Sequence, residues 1–312
     1  MEFMNKRVVF MGSPDFALPT LKALHRAYDV VGVVTQPDRP AGRGRAVQPP
    51  DVKILARALG LPIIQPTSLK NPEALQQLAA WHPDMIVVAA FGQILRENVL
   101  SLPPFGCVNV HASLLPRWRG AAPVQAAVLH DDVSGVTIMK MDKGLDTGPI
   151  LSQRAVPIPK DMTAGDLFDQ LAQLGADLLV ETLPKYFRGE IQPQPQDDDQ
   201  ATYAPRLKRE DGELDFSQPA EFLARMVRAY HSWPGAYQFF EDARLKIYQA
   251  HAKEAPSAVP GKRYVVEDKP AWGTIEGVLV LDEVQAAGKN RVMGEEFLHG
   301  AKDWISDEEE KQ

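Results

Sequence analysis

The sequence has few of the residues that build disulfide frameworks, zinc sites or membrane spans. Its one cysteine, Cys107, excludes a disulfide within the chain and a zinc cluster made of cysteines. No apolar run approaches the roughly 18 residues that a membrane-spanning helix needs, and the first residues lack the apolar stretch of a secretory signal. We therefore expect a soluble, cytoplasmic protein without a metal site or a membrane partner.

Basic charge is also in short supply. Lysine and arginine number 34 against 41 aspartates and glutamates, so the net charge is −7, which argues against a surface coated with basic groups for nucleic-acid binding. A local basic patch stays possible, because the sum does not report where the charges lie. The length of 312 residues, 45% of them hydrophobic, predicts a globular protein of about two domains.

The first half of the chain alternates short apolar runs with helical patterns. Strand-like runs end at Gly12, Val34, Ile64 and Ala90, and helical periodicity lies between them. This alternation predicts an α/β domain over residues 5–190, with a Rossmann-like, mostly parallel sheet covered by helices. Ligands are then expected beyond the carboxyl ends of the strands.

The second half follows a different pattern. Residues 191–205 include prolines, glutamines and an acidic triplet, a composition typical of a linker. Beyond it, a helix near 218–230 precedes short strands separated by turns that contain glycine or proline, which predicts a small OB-like β-barrel over residues 206–305. The acidic end, residues 306–312, is predicted to be a disordered tail.

The segment from Cys107 to His111 alternates apolar and polar residues, as a strand does. Val108 and Val110 can then face the core, while Asn109 and His111 share the other face with Cα atoms about 6.5–7 Å apart. An amide that can hydrogen-bond an oxyanion beside an imidazole that can move a proton is the minimal set for acyl transfer. A strand whose polar face meets solvent has the same pattern. Cys107 is roughly 13 Å from His111 along the strand, so it is predicted to be a core residue and not a nucleophile.

Two loops after this strand have features of binding loops. Residues 113–123 contain two prolines, a glycine and an Arg-Trp-Arg cluster, which excludes a regular helix or a central strand. Residues 142–149 form a turn rich in aspartate and glycine, in which Asp146 could supply a third catalytic group. Aspartate in such a turn is also routine, so both interpretations stay open.

Together these features resemble the formyltransferases that use 10-formyltetrahydrofolate. The resemblance rests on Asn109-Val110-His111, on residues 113–116 and on Asp146, and it spans roughly residues 7–305. Within that family, the chain is similar to the members that act on initiator Met-tRNA. The segments that carry this closer similarity are residues 12–17, 36–45, 117–123 and 202–208.

The resemblance implies a reaction and a set of catalytic roles. The formyl group of 10-formyltetrahydrofolate, a co-substrate, would pass to the α-amine of the methionine on the tRNA. Asn109 and His111 would stabilise the tetrahedral oxyanion, His111 or a bound water would move the amine proton, and Asp146 would orient the imidazole. The residues that would line the folate pocket are Phe91, Gly92, Ile94, Leu95, Ser113, Leu114, Leu115 and Pro116.

A tRNA partner requires a local basic stripe on this acidic chain, because phosphate contacts dominate binding to nucleic acids. Arginines in loops are more often simply solvated, so the assignment depends on the resemblance. The groups predicted to contact tRNA are Arg39, Arg43, Arg45, Arg117, Arg119, Arg206 and Lys208. The protein is expected to act as a monomer.

Two other functions fit parts of the pattern. A formyltransferase of the same superfamily could use an amino-sugar nucleotide or another small amine as acceptor, with the same catalytic residues. A non-catalytic nucleotide-binding module is suggested by the strand that ends at Gly12, although neither a G-x-G-x-x-G motif nor a P-loop follows it.

Overall fold

The structure is a computed structural model that describes residues 5–41, 46–301 and 303–305. It divides into two compact units. The first unit contains the described residues up to Pro123, together with Val133–Pro157 and Phe168–Ala204. The second contains Val124–Asp132, Ile158–Leu167 and the described residues from Pro205 onward. The tail predicted over residues 306–312 lies outside the described residues.

The described chain alternates strands and helices in its first half and is mostly strands in its second. The strands are β1 (Arg7–Gly12), β2 (Asp29–Val34), β3 (Arg39–Ala41), β4 (Ala46–Gln48), β5 (Ile63–Ile64), β6 (Met85–Ala89), β7 (Cys107–His111), β8 (Arg119–Gly120), β9 (Val133–Lys140), β10 (Ile150–Pro157), β11 (Tyr203–Ala204), β12 (Ala236–Phe240), β13 (Ala243–Lys253), β14 (Arg263–Val266), β15 (Lys269–Gly273), β16 (Val278–Gln285) and β17 (Val292–Met293). The helices are α1 (Ala17–Ala27), α2 (Asp51–Ala58), α3 (Pro72–Ala80), α4 (Glu97–Leu100), α5 (Pro123–His130), α6 (Ala164–Phe187), α7 (Ala220–Ala229) and α8 (Gly294–Gly300). None of the helices in the described part of the chain is long and apolar enough to cross a membrane.

The first unit is built on a seven-stranded sheet with the order β10-β9-β7-β6-β1-β2-β5. The strands from β7 to β5 in this order run parallel, and β9 and β10 add an antiparallel edge. All five residues of β6 are buried, as expected of a central parallel strand that is covered on both faces. The predicted mostly parallel α/β architecture is confirmed.

Glycine at the end of β1 has a packing role. A Cβ at Gly12 would come within 2.8 Å of both the Ala89 carbonyl oxygen and the Ala17 Cβ, a separation that real Cβ atoms do not show. Gly12 therefore lets the end of β1 approach β6 and α1 closely. This contact accounts for the glycine on which the nucleotide-binding hypothesis depended.

The second unit contains a six-stranded antiparallel sheet with the order β12-β13-β16-β15-β14, in which β17 also pairs with β16. Trp304 is 1% exposed and lies among Phe240, Trp272 and Phe297, with ring centroids 4.9–5.7 Å away. The predicted second domain of antiparallel strands is confirmed.

The segment predicted as a linker is hydrogen-bonded to the first unit. Gln194 and Ile150 exchange two backbone hydrogen bonds of 2.8 Å, and β11 pairs in parallel with β8, with Tyr203 opposite Arg119. Backbone and side-chain polar contacts hold this segment, whereas apolar burial contributes little. Its polar composition suggested a linker because composition reports apolar burial and does not report hydrogen bonding.

Candidate active site

Strand β7 brings Asn109 and His111 into the middle of the sheet of the first unit. It pairs with β6 through Val88 and Asn109 and with β9 through His111 and Thr137. A Cβ at Gly175 in α6 would come within 2.6 Å of the Val110 side chain, so Val110 packs against that helix. Since alternate residues of a strand point to opposite faces, Asn109 and His111 share the face away from α6.

The imidazole of His111 is buried, with 6% of the residue exposed, and both of its nitrogens face oxygen atoms. Its Nε2 lies 3.0 Å from the carbonyl oxygen of Trp118. A carbonyl can only accept, so Nε2 carries a hydrogen and donates it. Its Nδ1 faces the Asp146 Oδ2 at 3.7 Å. Nδ1 is therefore the ring atom at which a proton can be gained or lost while the bond to Trp118 is kept.

The turn that carries Asp146 is fixed by backbone contacts. Asp146 has a φ of +53°, a left-handed conformation that aspartate tolerates better than most residues. Its Oδ2 accepts a 2.9 Å hydrogen bond from the Gly120 amide. Gly148 lies directly against β9, where a Cβ would come within 1.9 Å of the Lys140 carbonyl oxygen. The carboxylate is thus held toward His111 by its own turn and by the loop after β7.

The side chain of Asn109 differs from those of His111 and Asp146, which face named partners. Its amide makes no hydrogen bond within the described part of the chain, although the residue is only 9% exposed. The amide is not among the fully buried side-chain atoms that lack a partner in the described residues, so it lies open to solvent. An unpaired amide beside His111 is therefore free to bind an oxygen of a ligand.

Cys107, at the start of the same strand, is 1% exposed, and its Sγ donates to the Val99 carbonyl at 3.6 Å. Burial raises the pKa of this thiol to about 12. A protonated, buried thiol is not a nucleophile, which agrees with its predicted place in the core.

The loop after β6 contributes less apolar surface than predicted for a folate pocket. Phe91 is 2% and Leu95 is 3% exposed, and both belong to the core of the first unit. Ile94 is 82% exposed. Gly92 has a φ of +77°, which glycine adopts without strain. Of the three apolar side chains in this loop, Ile94 is the one available to a ligand.

The loop after β7 is held by Thr137 of β9. The Thr137 hydroxyl donates to the Ser113 carbonyl at 2.6 Å and accepts from the Leu115 amide at 3.0 Å. Ser113 and Leu115 are buried, with 1% and 3% exposed, while Leu114 and Pro116 are half-buried. The first pair fixes the loop, and the second pair is accessible to a ligand.

The arginines predicted to bind tRNA lie in different surroundings. Arg39 is exposed at the start of β3 and donates to the Gln36 side chain at 3.0 Å. Arg117 is exposed, with its guanidinium 5.1 Å from the Trp118 ring centroid. Arg43 and Arg45 lie outside the described residues. In the second unit the exposed predicted groups are Arg206 and Lys208.

Arg119 requires a correction, because its side chain is 2% exposed and is used inside the protein. Its Nε and Nη2 donate to the Gln196 Oε1 at 3.0 and 2.9 Å, and Nη2 also donates to the Asp198 Oδ1 at 2.7 Å. The guanidinium is therefore bonded within the first unit and is not a surface group that awaits a phosphate. Its partners lie 77 and 79 residues further along the chain, so the local sequence contains no sign of them.

Sequence reasoning missed a polar cluster at the start of the hairpin formed by β3 and β4. We call this hairpin arginine-rich because its sequence contains Arg39, Arg43 and Arg45. Lys53 of α2 is 8% exposed, and its ammonium donates to both carboxylate oxygens of Asp38 at 2.7 and 2.6 Å. Gln65 donates to the same carboxylate at 2.7 Å. The hydrogen bonds from Gln65 and Lys53 hold the pKa of Asp38 below its ordinary value. The hairpin thus begins at a fixed acidic residue.

Comparison with known proteins identifies the family to which the chain belongs. Residues 6–183 match the family model described as "Formyl transferase", and residues 206–302 match "Formyl transferase, C-terminal domain". The chain therefore belongs to the formyl transferase family. Its relatives there include the methionyl-tRNA formyltransferase of Roseiflexus sp. (strain RS-1), which is 49% identical over 302 residues, or 95% of this chain and 93% of that protein.

Solved structures share the fold at lower sequence identity. An N-formyltransferase from Helicobacter canadensis, in complex with folinic acid and dTDP-3-aminofucose, is 18% identical with a TM-score of 0.66, over 91% of this chain and 100% of that one. HypX from Aquifex aeolicus, in complex with tetrahydrofolic acid, is 15% identical with a TM-score of 0.60, over 96% of this chain. The present chain spans about half of HypX, 48% of its length.

Proposed function

We propose that the chain transfers the formyl group of 10-formyltetrahydrofolate to the α-amine of the methionine on initiator Met-tRNA. The observation that carries this proposal is the unpaired Asn109 amide beside His111 and Asp146, in a chain 49% identical to a methionyl-tRNA formyltransferase. Asn109, His111 and Asp146 are its proposed catalytic residues.

The proposed reaction begins when the amine attacks the formyl carbon held on N10 of the folate. The new C–N bond gives a tetrahedral oxyanion, to which the Asn109 amide donates a hydrogen bond. The bond from the formyl carbon to N10 then breaks, and tetrahydrofolate leaves. The proton lost by the amine passes through the His111 Nδ1, directly or by one bound water, to N10. The Asp146 carboxylate keeps Nδ1 oriented during this transfer.

The folate is proposed to lie along the ends of β6 and β7. Ile94, Leu114 and Pro116 would contact the ring system, because they are the exposed or half-buried apolar side chains of the two loops. Phe91, Gly92, Leu95, Ser113 and Leu115 would shape the pocket through their backbone and the core beneath it.

The tRNA is proposed to contact the arginine-rich hairpin and the loop after β7. The cluster of Asp38, Lys53 and Gln65 supports this role, because it fixes the base of the hairpin. The proposed phosphate contacts are Arg39, Arg43, Arg45, Arg117, Arg206 and Lys208. We further propose that residues 5–190, apart from the two stretches 124–132 and 158–167 that belong to the second compact unit, form the catalytic domain and that residues 206–305 form the C-terminal domain. The protein is proposed to work as a monomer in the cytoplasm, where translation takes place.

The decisive experiment measures formyl transfer from 10-formyltetrahydrofolate to charged initiator tRNA. Free methionine and an amino-sugar nucleotide serve as alternative acceptors. We expect transfer to the tRNA alone. Formylation of only the amino-sugar nucleotide would assign the chain to the other branch of the superfamily, and no transfer to any amine would contradict the proposal.

The proposed role of the hairpin has its own test, in which kcat/KM for charged tRNA is measured at several salt concentrations. We expect Arg43→Ala to lower this value and to reduce its salt dependence, because each phosphate contact releases counterions. Arg26→Ala is the matched control, since Arg26 is an exposed arginine in the last turn of α1 outside the proposed contacts. Equal kinetics of the two variants would refute the role of Arg43.

A further inference from the structure

Residues 194–204, which we call the returning segment, run back along the loops of the candidate active site. Gln196 is its central residue. The amide nitrogen of Gln196 donates to the carbonyl oxygens of Asp146 and Gly148, both at 2.7 Å. Its amide oxygen accepts two hydrogen bonds from Arg119. The side chain therefore uses both of its donors and both acceptor positions.

The network continues from Gln196 to the protein surface. Arg119, with a 2% exposed side chain, is bonded to the carboxylate of Asp198, whose side chain is 80% exposed. The Gly120 amide, the next along the chain from Arg119, donates to the Asp146 carboxylate. Arg119 and Gln196 thus hold the Asp146 turn by two routes, one through its backbone carbonyls and one through its side chain.

The same segment also fixes the carbonyl that holds the imidazole. Thr202 accepts a 2.9 Å hydrogen bond from the Trp118 amide through its hydroxyl, and its carbonyl accepts from the Arg119 amide at 2.9 Å. Trp118 has a φ of +60°, which is unusual for a bulky residue and costs free energy. The conformation aims the Trp118 carbonyl at the His111 Nε2.

We propose that the returning segment positions the catalytic residues, with Gln196, Arg119 and Asp198 setting the distance between Asp146 and His111. None of these three is placed against the reacting atoms, so they are positioning residues and not catalytic ones. The proposal rests on the proposed formyl transfer, and it assigns a role in that reaction to residues 194–204, which lie between the two regions matched by the family models, residues 6–183 and 206–302. Arg119 belongs to this network and does not contact tRNA.

The main test is Gln196→Met, which keeps the length of the side chain and removes all four hydrogen bonds. Because misplacement of catalytic groups by about 1 Å can lower rates on the order of 100-fold, we expect kcat to fall by about 10-fold to 100-fold while KM for both substrates changes less than about twofold. Gln200→Ala is the matched control. Gln200 lies in the same segment, and within the described residues its side chain donates to Asp197, so the kinetics of Gln200→Ala should equal those of the wild type.

A second pair of variants decides the question if Gln196→Met does not fold. Asp198 is mostly exposed, so Asp198→Ala should fold normally and lower kcat by about twofold to fivefold, the range of a solvent-exposed charge pair. Asp198→Asn keeps an acceptor oxygen for Arg119 and should restore most of the loss. An Asp198→Ala variant with wild-type kcat, or no rescue by asparagine, would overturn the proposal.

A readout that needs no activity separates this proposal from the proposed function. The ¹⁵N chemical shifts of the His111 ring report its hydrogen bonds, and His111→Gln assigns the signals. We expect these shifts to change in Gln196→Met and Asp198→Ala and to stay constant in Gln200→Ala. Unchanged shifts in both network variants refute the positioning role, even if the protein formylates tRNA. If the shifts change in the network variants but the protein transfers no formyl group, the positioning network stands and the proposed function fails.

Discussion

Substitution of two asparagines in the first unit should have opposite effects, one on the transfer rate and the other on the free energy of unfolding. Asn109 has a side-chain amide without a partner in the described residues, so Asn109→Ala leaves no protein group unpaired. Its free energy of unfolding is expected to stay within about 1 kcal/mol of the wild type. The rate of formyl transfer should fall on the order of 10² to 10³-fold, the usual effect of removing one oxyanion donor.

Asn71 provides the opposite case. It precedes α3, and its side-chain oxygen accepts a 3.0 Å hydrogen bond from the Glu73 amide. Because this bond caps the helix, Asn71→Ala is expected to cost about 1 kcal/mol of stability and to leave the transfer rate unchanged, since α3 is not part of the candidate site.

The two variants are compared by urea denaturation and by steady-state kinetics on charged tRNA. The reasoning predicts a loss of activity without a loss of stability for Asn109→Ala, and the reverse for Asn71→Ala. A loss of more than about 2 kcal/mol for Asn109→Ala would show that its amide supports the fold. A transfer rate within about threefold of the wild type would remove Asn109 from the oxyanion site.

Three further predictions concern the fold. Cys107 has a pKa of about 12 in the folded state, so its alkylation near pH 8–9 should follow global unfolding, and fast labelling of the native protein would contradict its burial. The free energy of unfolding should also fall as the pH rises from the unfolded thiol pKa of about 8.5, because the folded state keeps a proton that the unfolded state loses. Trp304→Ala should cost about 3–5 kcal/mol in urea denaturation, and a smaller loss would show that its ring cluster is loosely packed. The lowered pKa of Asp38 adds to the free energy of unfolding above the unfolded pKa of about 4, and this contribution is lost as the pH falls through the folded value. The stability lost in Lys53→Met should therefore be greater near pH 6 than near pH 3. An equal loss at both pH values would refute the ion pair.

The architecture of the first unit could be predicted because its signals are local. Apolar runs such as the one ending in β6 have the length and composition of a central strand, and all five residues of β6 are buried. The alternation from Cys107 to His111 placed Asn109 and His111 on one face, as strand geometry requires. Asn109 and His111 were accessible to sequence reasoning for the same reason, whereas the role of Asp146 came from the family resemblance.

The supporting network was not predictable from such signals. Gln196 lies 50 residues from Asp146 and 77 from Arg119, and glutamine in a polar, proline-containing stretch is typical of a linker. The burial of Arg119 depends on these distant partners, so its neighbours in sequence suggested an exposed, phosphate-binding arginine. Lys53 is similar, because its acidic partner lies 15 residues earlier and nothing in α2 distinguishes a buried lysine from an exposed one.

The division of the chain into units has a consequence for synthesis on the ribosome. The chain passes between the units after residues 123, 132, 157, 167 and 204, so residues 124–132 emerge long before the rest of their unit. Asp132 pairs with Arg225, and His130 packs near Phe222, which is translated about 90 residues later. A nascent chain that ends at 204 therefore holds two pieces of a unit whose sheet does not yet exist. The second unit becomes complete only when almost the whole polypeptide has been made.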